Sequence, residues 1–286
     1  MTVRSKHNNL LNYFLYDKKD LSKAYIKSCD KFFKEIKNKN GVIKNEKTIK
    51  LKRPSKLCFR EGNPKTDKNK KIKGLENYRI LRLNLAPADL SGYNVCPMAS
   101  VGCKSACLHT AGNPVYQKQK DIGRINRTRF YIQARVEFLK QLMREIKNHE
   151  LYCNKNKLIP VVRLNTTSDI SWEIHNIFEL FPNVQFYDYT KIYKRAIKFV
   201  NGEYPKNYHL TYSLNEDNKD LAFNILKMGG NISAVYRNNL EDLNKFGYNV
   251  VNGDNHDLRF LDKRNSIVGL KAKGKAKTDY SGFVLD

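Results

Sequence analysis

Residues 159–214 read IPVVRLNTTSDISWEIHNIFELFPNVQFYDYTKIYKRAIKFVNGEYPKNYHLTYSL. Short apolar segments rich in β-branched and aromatic side chains alternate here with longer segments of helical periodicity. We expect strands at 159–164, 184–189 and 208–214, and helices at 172–180 and 192–200. Strands that alternate with helices build βαβ units and a parallel sheet, so this stretch predicts an α/β fold.

The same alternation continues on both sides of this stretch. We expect further strands at 80–85, 232–236 and 248–252, and further helices at 122–148 and 217–228, with a short helix before the last strand. In the longest helix an apolar residue recurs every four positions and marks one face for the core: Phe130, Ala134, Phe138, Leu142 and Ile146. Six or more units predict a full or partial (β/α) barrel with mostly parallel strands, and a doubly wound open sheet is the alternative.

Charge divides the chain into three parts. Residues 1–80 hold 23 lysine or arginine residues against 8 aspartate or glutamate residues. We predict a basic N-terminal extension at 1–74, partly helical or mobile, and an α/β barrel-like domain with a cysteine-bearing loop at 75–262. The remaining residues, 263–286, form a basic C-terminal segment in which a last strand can form.

The overall composition excludes two classes of protein. Hydrophobic residues make up 41% of the 286 residues and aromatic residues 11%, which is enough to build a core and argues against disorder throughout. No apolar run approaches the roughly 20 residues that span a bilayer, and the first 20 residues lack the apolar core of a secretory signal. We therefore expect an intracellular protein that does not cross a membrane.

Three of the six cysteines cluster in the loop that follows the first strand. Residues 92–112 read GYNVCPMASVGCKSACLHTAG, which places Cys96, Cys103 and Cys107 at C-x6-C-x3-C spacing. Thiolates are soft ligands, and three of them can hold three irons of a [4Fe–4S] cluster while the fourth iron stays open. With His109 as a fourth ligand, the same thiolates complete a tetrahedral zinc site instead. The non-metal alternative is three small apolar side chains buried in the core.

Polar residues gather where the predicted strands end. Asparagine and aspartate at such junctions often cap the next helix, and capping accounts for some of them. It does not account for Arg163 and Asn165, which share one face of a strand. We therefore expect a convergent substrate-binding or catalytic site at the carboxyl ends of the strands, formed by Arg163, Asn165, Asp169, Tyr187, Asp188, Lys191 and Ser213.

The positive charge predicts a nucleic-acid partner. The chain has 53 lysine or arginine residues against 28 acidic residues, a net charge of +25. Lysine-rich segments bind nucleic acids by neutralising phosphates and releasing counterions. The alternative is that the lysine content reflects only a coding bias and has no role in binding. The residues expected to contact DNA or RNA are Lys50, Lys52, Arg53, Lys70, Lys71, Lys73, Lys271, Lys273, Lys275 and Lys277.

Several blocks of the chain resemble the phage gene product 88 family, a group of viral proteins with little assigned function. The blocks are residues 83–112, 163–173, 186–191 and 208–213, and the resemblance covers about residues 75–260. It implies a viral protein that works in the host cytoplasm. The family name itself implies no chemistry.

A looser resemblance is to the radical S-adenosylmethionine enzymes, which carry three cysteines on the loop after the first strand of a partial (β/α) barrel. The resemblance implies a [4Fe–4S] cluster and S-adenosylmethionine bound to its open iron. The spacing differs, because those enzymes have C-x3-C-x2-C and this chain has C-x6-C-x3-C. The glycine-rich motif that they carry after the second strand is replaced here by residues 165–169, NTTSD.

Two functions follow from these observations. The first is a viral iron–sulfur enzyme, an oxidoreductase or a radical enzyme, that acts on an unidentified substrate, with a nucleic acid as one candidate. The second is a basic nucleic-acid-binding protein in which zinc or an iron–sulfur cluster is structural. A virion or nucleoid component is the remaining class.

Overall fold

The computed structural model describes residues 53–60, 67–112 and 116–286. Within them nine strands form one sheet in the order β1-β2-β3-β4-β5-β6-β8-β7, and β9 pairs with β6. β1 runs antiparallel to β2, and every other pairing is parallel. The strands are β1 Cys58–Phe59, β2 Tyr78–Leu83, β3 Ile159–Arg163, β4 Gln185–Thr190, β5 Tyr208–Ser213, β6 Ile232–Tyr236, β7 Asn249–Asn252, β8 Ser266–Lys271 and β9 Val284–Leu285.

Six α-helices lie between these strands in the described residues. They are α1 Val101–Ser105, α2 Gln117–Gln133, α3 Arg135–Lys155, α4 Ile177–Leu180, α5 Tyr193–Val200 and α6 Lys219–Lys227. Short 3-10 helices occur at Lys68–Lys71, Leu108–Thr110, Trp172–His175, Leu240–Phe246, Arg259–Leu261 and Gly274–Thr278. In the described residues, no helix is both long enough and apolar enough to pass through a bilayer.

The two faces of the sheet are covered by different parts of the chain. Alternate residues of β2, β3 and β4, among them Leu81, Val162 and Phe186, pack into a core with the helices. The intervening residues Val161 and Tyr187 pack instead against Leu258 and the loop around it. This alternation is the period of two that a strand imposes on its side chains. Helices α2 to α6 all contribute to the cores on the first face.

The mixed α/β architecture with a mostly parallel sheet confirms the predicted fold class, but the predicted full barrel is not confirmed. The path of the sheet ends at β1 and at β7, and the described residues contain no pairing between these two strands. In the described residues the longer helices α2 to α6 pack on one face of the sheet, whereas a doubly wound sheet carries such helices on both. On the opposite face the described residues supply the short helix α1, whose Cys103 packs in one cluster with Val235 of β6, together with loops and, at one end, a cavity.

Two of the predicted helices are interrupted. The helix expected at 122–148 is divided into α2 and α3 at Ala134, whose φ of −135° and ψ of 58° are not helical. The helix expected at 172–180 is a 3-10 turn and α4, separated by Asn176 at a φ of +51°. Asparagine tolerates this left-handed conformation better than most residues. Neither break lies at a glycine or a proline, the residues whose presence in a sequence usually indicates the end of a helix.

The C-terminal segment takes part in the sheet. β8 lies between β6 and β7, so residues 266–271 are an interior strand. β5 pairs with the first half of β6, at Ile232 and Ser233, and β9 pairs with the second half, at Val235 and Tyr236. The last residues of the chain therefore pair with the second half of β6, beyond the point where its pairing with β5 ends. Most of the predicted extension, residues 1–52 and 61–66, lies outside the described residues.

Candidate functional site

A cavity of about 220 Å³ lies where the parallel strands end. Its lining comes from the carboxyl ends of five strands and the loops after them, with Arg163 at the end of β3, Thr190 on β4, Ser213 on β5, Val235 on β6 and Lys271 on β8. In parallel sheets this edge collects the loops that carry function. The cavity is therefore located where the sequence predicts a site.

Cys96, Cys103 and Cys107 all line this cavity as free cysteines. Burial raises the pKa of Cys96 to about 12, and the charges of Cys107, Asp169 and Cys103 add to that rise. Burial also raises the pKa of Cys107, and the Cys103 charge adds to it. The thiols of Cys96 and Cys107 are therefore neutral near pH 7, and a bound metal cation would favour their thiolate forms.

Backbone groups provide hydrogen bonds to two of these sulfur atoms. The amide N–H of Ala88 donates to Cys96 Sγ at 3.4 Å, and the Cys96 thiol faces the carbonyl oxygen of Thr167 at 3.8 Å. A backbone N–H of His109 lowers the pKa of Cys107 by donating to its sulfur. Donors of this kind stabilise the thiolate form, which is the form that binds metals.

Two residues that follow later strands hold the cysteine loop in place by hydrogen bonds. Glu216, after β5, accepts hydrogen bonds from the Gly102 amide at 2.7 Å and from the Ser100 hydroxyl at 2.8 Å. The amide of Asp169, after β3, donates to the carbonyl of Val95 at 2.8 Å. The loops after β3 and β5 thus fix the short helix α1 and the chain on its N-terminal side.

The structure brings five of the seven predicted substrate-site residues to the cavity lining. These are Arg163, Asn165, Asp169, Lys191 and Ser213. Tyr187 and Asp188 do not line the cavity and are almost fully buried within the sheet. Their hydrogen bonds show that they support the residues of the site.

Asp188 holds the loop that follows β3. Its carboxylate accepts the amide N–H of Asn165 at 2.7 Å, and burial raises its pKa to about 7. Asn165 uses its own side-chain oxygen to accept from Ser168, from the Ile170 amide and from the Trp172 indole. Asn165 is thus the centre of a polar turn, which orders residues 165–172 along one wall of the cavity.

Arg163 forms a buried ion pair on the cavity side of the sheet. Its Nη1 lies 2.7 Å from Asp257 Oδ2, and the Tyr187 hydroxyl donates to the same oxygen at 2.7 Å. Burial alone would lower the pKa of Arg163, but the Asp257 carboxylate raises it above its ordinary value. The guanidinium therefore stays charged, and its Cζ lies over the Tyr189 ring, 4.7 Å from the ring centroid.

Asp169 accepts hydrogen bonds from three donors, on β4, on the loop after it and on α5. Its Oδ1 accepts from the Thr190 hydroxyl and from Arg195 Nη1, both at 2.8 Å, and its Oδ2 accepts the Lys191 amide at 2.7 Å. Arg195 also pairs with Glu173 at 2.8 Å. This network ties the loop after β3 to the loop after β4, so Asp169 has a positioning role as well as a place in the lining.

His109 is not brought to the cavity lining. It lies on the 3-10 helix Leu108–Thr110, and burial lowers its pKa, so its ring is neutral near pH 7. Among the described residues, no group of three or more histidine, cysteine, aspartate or glutamate side chains is arranged to hold a metal ion. The metal-site prediction of three cysteines with His109 therefore stays a prediction.

The predicted nucleic-acid contacts divide into four groups. Lys271 and Lys273 line the cavity, and Lys273 pairs with Asp254 at 2.6 Å. The exposed residues are Arg53, Lys71, Lys73, Lys275 and Lys277. Lys70 is half-buried and pairs with Asp67 at 3.5 Å. Lys50 and Lys52 lie outside the described residues.

Several lining residues were not predicted from the sequence. Tyr189 could have been, because it shares a strand face with Tyr187 and follows the predicted Asp188. Phe283, Asp254 and the partner Asp257 come from segments far along the chain, and Asp257 lies 94 residues from Arg163. Contacts at such separations leave no local pattern in a sequence.

The fold and the site together define an α/β protein with a mostly parallel sheet and a cysteine-lined cavity at the carboxyl ends of its strands. The family model described as gene product 88 matches residues 55–286. The chain belongs to the gene product 88 family, and the match extends beyond the block of about 75–260 that the sequence motifs indicated. A search of curated proteins and a search of solved structures each found no match. No comparison points to the radical S-adenosylmethionine enzymes, so that resemblance stays a prediction.

Proposed function

We propose that the protein is an iron–sulfur enzyme in which Cys96, Cys103 and Cys107 bind a [4Fe–4S] cluster beside the substrate cavity. One observation carries this proposal: three thiols from one loop line the same cavity as five polar residues from the strand ends. A purely structural metal site has no need of an adjoining cavity with charged walls. An active site does, because substrate must reach the reactive group.

The donor set suits a cluster. Thiolates are the usual ligands of iron–sulfur clusters, and hydrogen bonds to the sulfur atoms tune the reduction potential of the cluster. In a cluster each thiolate binds a different iron atom, so the three sulfurs do not have to meet at one point. The cluster would supply electron transfer or, with an open iron, a site for a bound molecule, while Arg163 and Lys191 bind and orient the substrate and Asn165 orders the loop that carries the cavity wall.

The partial barrel, S-adenosylmethionine and the alternative metal, all predicted from the sequence, belong to the same proposal. A parallel sheet with its longer helices on one face and a cavity on the other supports a partial barrel, the scaffold on which the radical S-adenosylmethionine enzymes place their cluster. S-adenosylmethionine is accordingly the proposed second cofactor, and zinc bound by the same cysteines is the alternative metal. Metal analysis separates these two alternatives directly.

Anaerobic purification followed by iron and sulfide analysis tests the proposal. We expect about four irons and about four sulfides per chain, with the broad visible absorption of a cluster. Cys96→Ser, Cys103→Ser and Cys107→Ser should each lose most of this iron. Cys153→Ser is the matched control, because Cys153 is a buried cysteine on α3 that does not line the cavity.

Two results would refute the cluster. One is folded wild-type protein that holds neither iron nor sulfide after anaerobic reconstitution. The other is equal loss of iron from the Cys153 control and the three cavity variants. A stoichiometric zinc content that disappears from the cavity variants would support the alternative metal.

A specific observation favours nucleic-acid binding as a second candidate function. Lys68, from the N-terminal basic segment, donates to the Asp254 carbonyl at 2.8 Å, and Lys273, from the C-terminal basic segment, pairs with the Asp254 carboxylate. Asp254 itself lines the cavity. Two lysine-rich segments that are about 200 residues apart in the chain thus meet at the rim of the cavity. Lysines from both segments at this rim support contact with a phosphate backbone.

The salt dependence of binding tests this second function. For a single-stranded oligonucleotide, each lost phosphate contact lowers the slope of log affinity against log salt by about 0.7. Lys71→Gln/Lys275→Gln should therefore lower the slope by about 1.4. The control variant Lys155→Gln/Lys157→Gln removes the same charge from two exposed lysines just before the amino end of β3. This end of the sheet is opposite the cavity, so the control should leave the slope unchanged. Affinity that is independent of salt, or equal effects of the two variants, would contradict phosphate binding at the rim.

A further inference from the structure

Three residues that line the cavity each carry a buried polar atom with no hydrogen-bond partner in the described part of the chain. These atoms are Nε of Arg163, the hydroxyl oxygen of Tyr189 and the hydroxyl oxygen of Thr166. A buried polar group without a partner is unfavourable, so it is usually completed by a ligand or by ordered water.

The guanidinium of Arg163 is held in a fixed orientation. The residue is only 7% exposed, its Nη1 is paired with Asp257, and its Cζ lies over the Tyr189 ring. The ion pair uses one edge of the guanidinium and leaves the Nε–H as a donor without a partner. The Tyr189 hydroxyl, whose pKa burial raises to about 12, is protonated and can donate as well.

Lys191 adds a positive charge to these donors. Its Nζ donates to the Ser213 hydroxyl at 2.8 Å and lies 5.5 Å from the centroid of the Phe283 ring. Within the described residues no carboxylate forms a salt bridge with Lys191. The two carboxylates of the lining are paired with other cations, Asp169 with Arg195 and Asp254 with Lys273.

We propose that the cavity binds an oxyanion of the substrate, a phosphate or a carboxylate group, through the Lys191 ammonium, Arg163 Nε–H and the Tyr189 hydroxyl. An oxyanion has several acceptor oxygens and a negative charge, which match two donors and a cation. Lys271 and Lys273 at the rim favour its approach. The inference rests on the proposed function in that it names what the substrate of that site carries.

Calorimetric titration of the full chain with methyl phosphate, and separately with acetate, tests this inference. We expect one of the two probes to bind wild-type protein with one site per chain, and which one binds identifies the oxyanion. Lys191→Met keeps the length of the side chain and removes its charge, and it should weaken binding at least about tenfold. Tyr189→Phe removes one donor and should weaken binding about threefold.

Lys194→Met is the matched control, because Lys194 is an exposed lysine on α5 three residues from Lys191. Its binding should stay within about twofold of wild type, since a fully solvated charge contributes little. The inference is overturned if neither probe binds wild-type protein, or if the Lys191 and Lys194 variants bind equally well. If Lys191→Met does not fold, undiminished binding by folded Tyr189→Phe overturns it instead.

Iron analysis of the same preparations separates this inference from the proposed function. Oxyanion binding in protein that takes up no iron would leave the anion site standing and refute the cluster. Protein that contains iron and sulfide but binds neither probe would do the reverse. The two claims therefore fail on different measurements.

Discussion

At the scale of single residues, the most informative group is the buried carboxyl of Asp188. Burial raises its pKa to about 7, although the Asn165 amide stabilises the charged form by donating to it. Because its pKa is higher in the folded protein than in the unfolded chain, the folded protein binds this proton more tightly. The contribution of the protonated Asp188 carboxyl to the stability of the fold is complete below about pH 4. This contribution is lost as the pH rises toward about 7.

We predict that Asp188→Asn removes this pH dependence. The difference in free energy of unfolding, wild type minus variant, should fall by up to about 1.4 kcal/mol per pH unit between about pH 4 and about pH 7. Denaturant titrations at each pH measure it. Burial lowers the pKa values of His149 and His209, so these residues make the stability of wild type and variant alike rise with pH. Subtracting the free energy of unfolding of the variant from that of wild type removes this shared trend.

Asn201→Ala provides the control for this measurement. Asn201 is exposed just after α5 and carries no titratable group, so its variant should differ from wild type by an amount that does not change across this pH range. A flat difference for Asp188→Asn as well would show that the Asp188 carboxyl has the same pKa in the folded protein as in the unfolded chain, which contradicts the raised pKa.

At the scale of elements, the position of helix α1 depends on Gly102. A Cβ atom at this position would lie 2.7 Å from Glu216 Oε1 and 2.8 Å from Phe283 Cβ, and it would also collide with the Ser281 side chain. Glycine is therefore required where the cysteine loop touches the C-terminal segment. We predict that Gly102→Ala lowers the free energy of unfolding by about 1–3 kcal/mol, through overpacking.

Gly123→Ala is the matched control for the Gly102 variant. Gly123 lies inside α2, where the nearest atom to an added Cβ is Arg127 Nη1 at 3.4 Å. Alanine in a helix interior is more favourable than glycine by about 0.5–1 kcal/mol, so this variant should be more stable than wild type. Chemical denaturation measures both variants, and an unchanged stability of Gly102→Ala would contradict the close packing of α1.

The elements that the sequence predicts well are those with a strong local pattern. Strand β6 falls at the predicted 232–236, and helix α5 begins one residue later than predicted. The break at Ala134 was not predictable, because the apolar repeat continues through it from Phe130 to Phe138. β9 was not predictable either, since two residues that pair with β6 carry no periodicity. Local propensity determines most elements, whereas tertiary contacts determine these.

The same distinction applies to the candidate site. Arg163 and Lys191 were predictable because charged residues at the ends of buried strands are unusual and point to a site. The pairing of Arg163 with Asp257, and the meeting of Lys68 with Asp254, join segments 94 and 186 residues apart. Such contacts depend on the sheet order, which the sequence pattern alone does not specify.

At the scale of the whole molecule, the order of the strands explains why the cavity exists. Strands β3 to β6 and β8 deliver their carboxyl ends to one edge, and the C-terminal segment adds Phe283 and β9 beside β6. The cysteine loop lies over the same edge, held by Glu216 and by the backbone of Asp169. The central claim is that these three thiols bind an iron–sulfur cluster facing the cavity.

Anomalous diffraction at the iron absorption edge, from crystals grown without oxygen, tests this claim most directly. It locates iron atoms without any assumption about the reaction. We predict a single strong peak per chain bordered by the Sγ atoms of Cys96, Cys103 and Cys107, with the cavity on its open side. Crystals of anaerobically reconstituted protein that show no iron peak between these sulfurs would contradict the account.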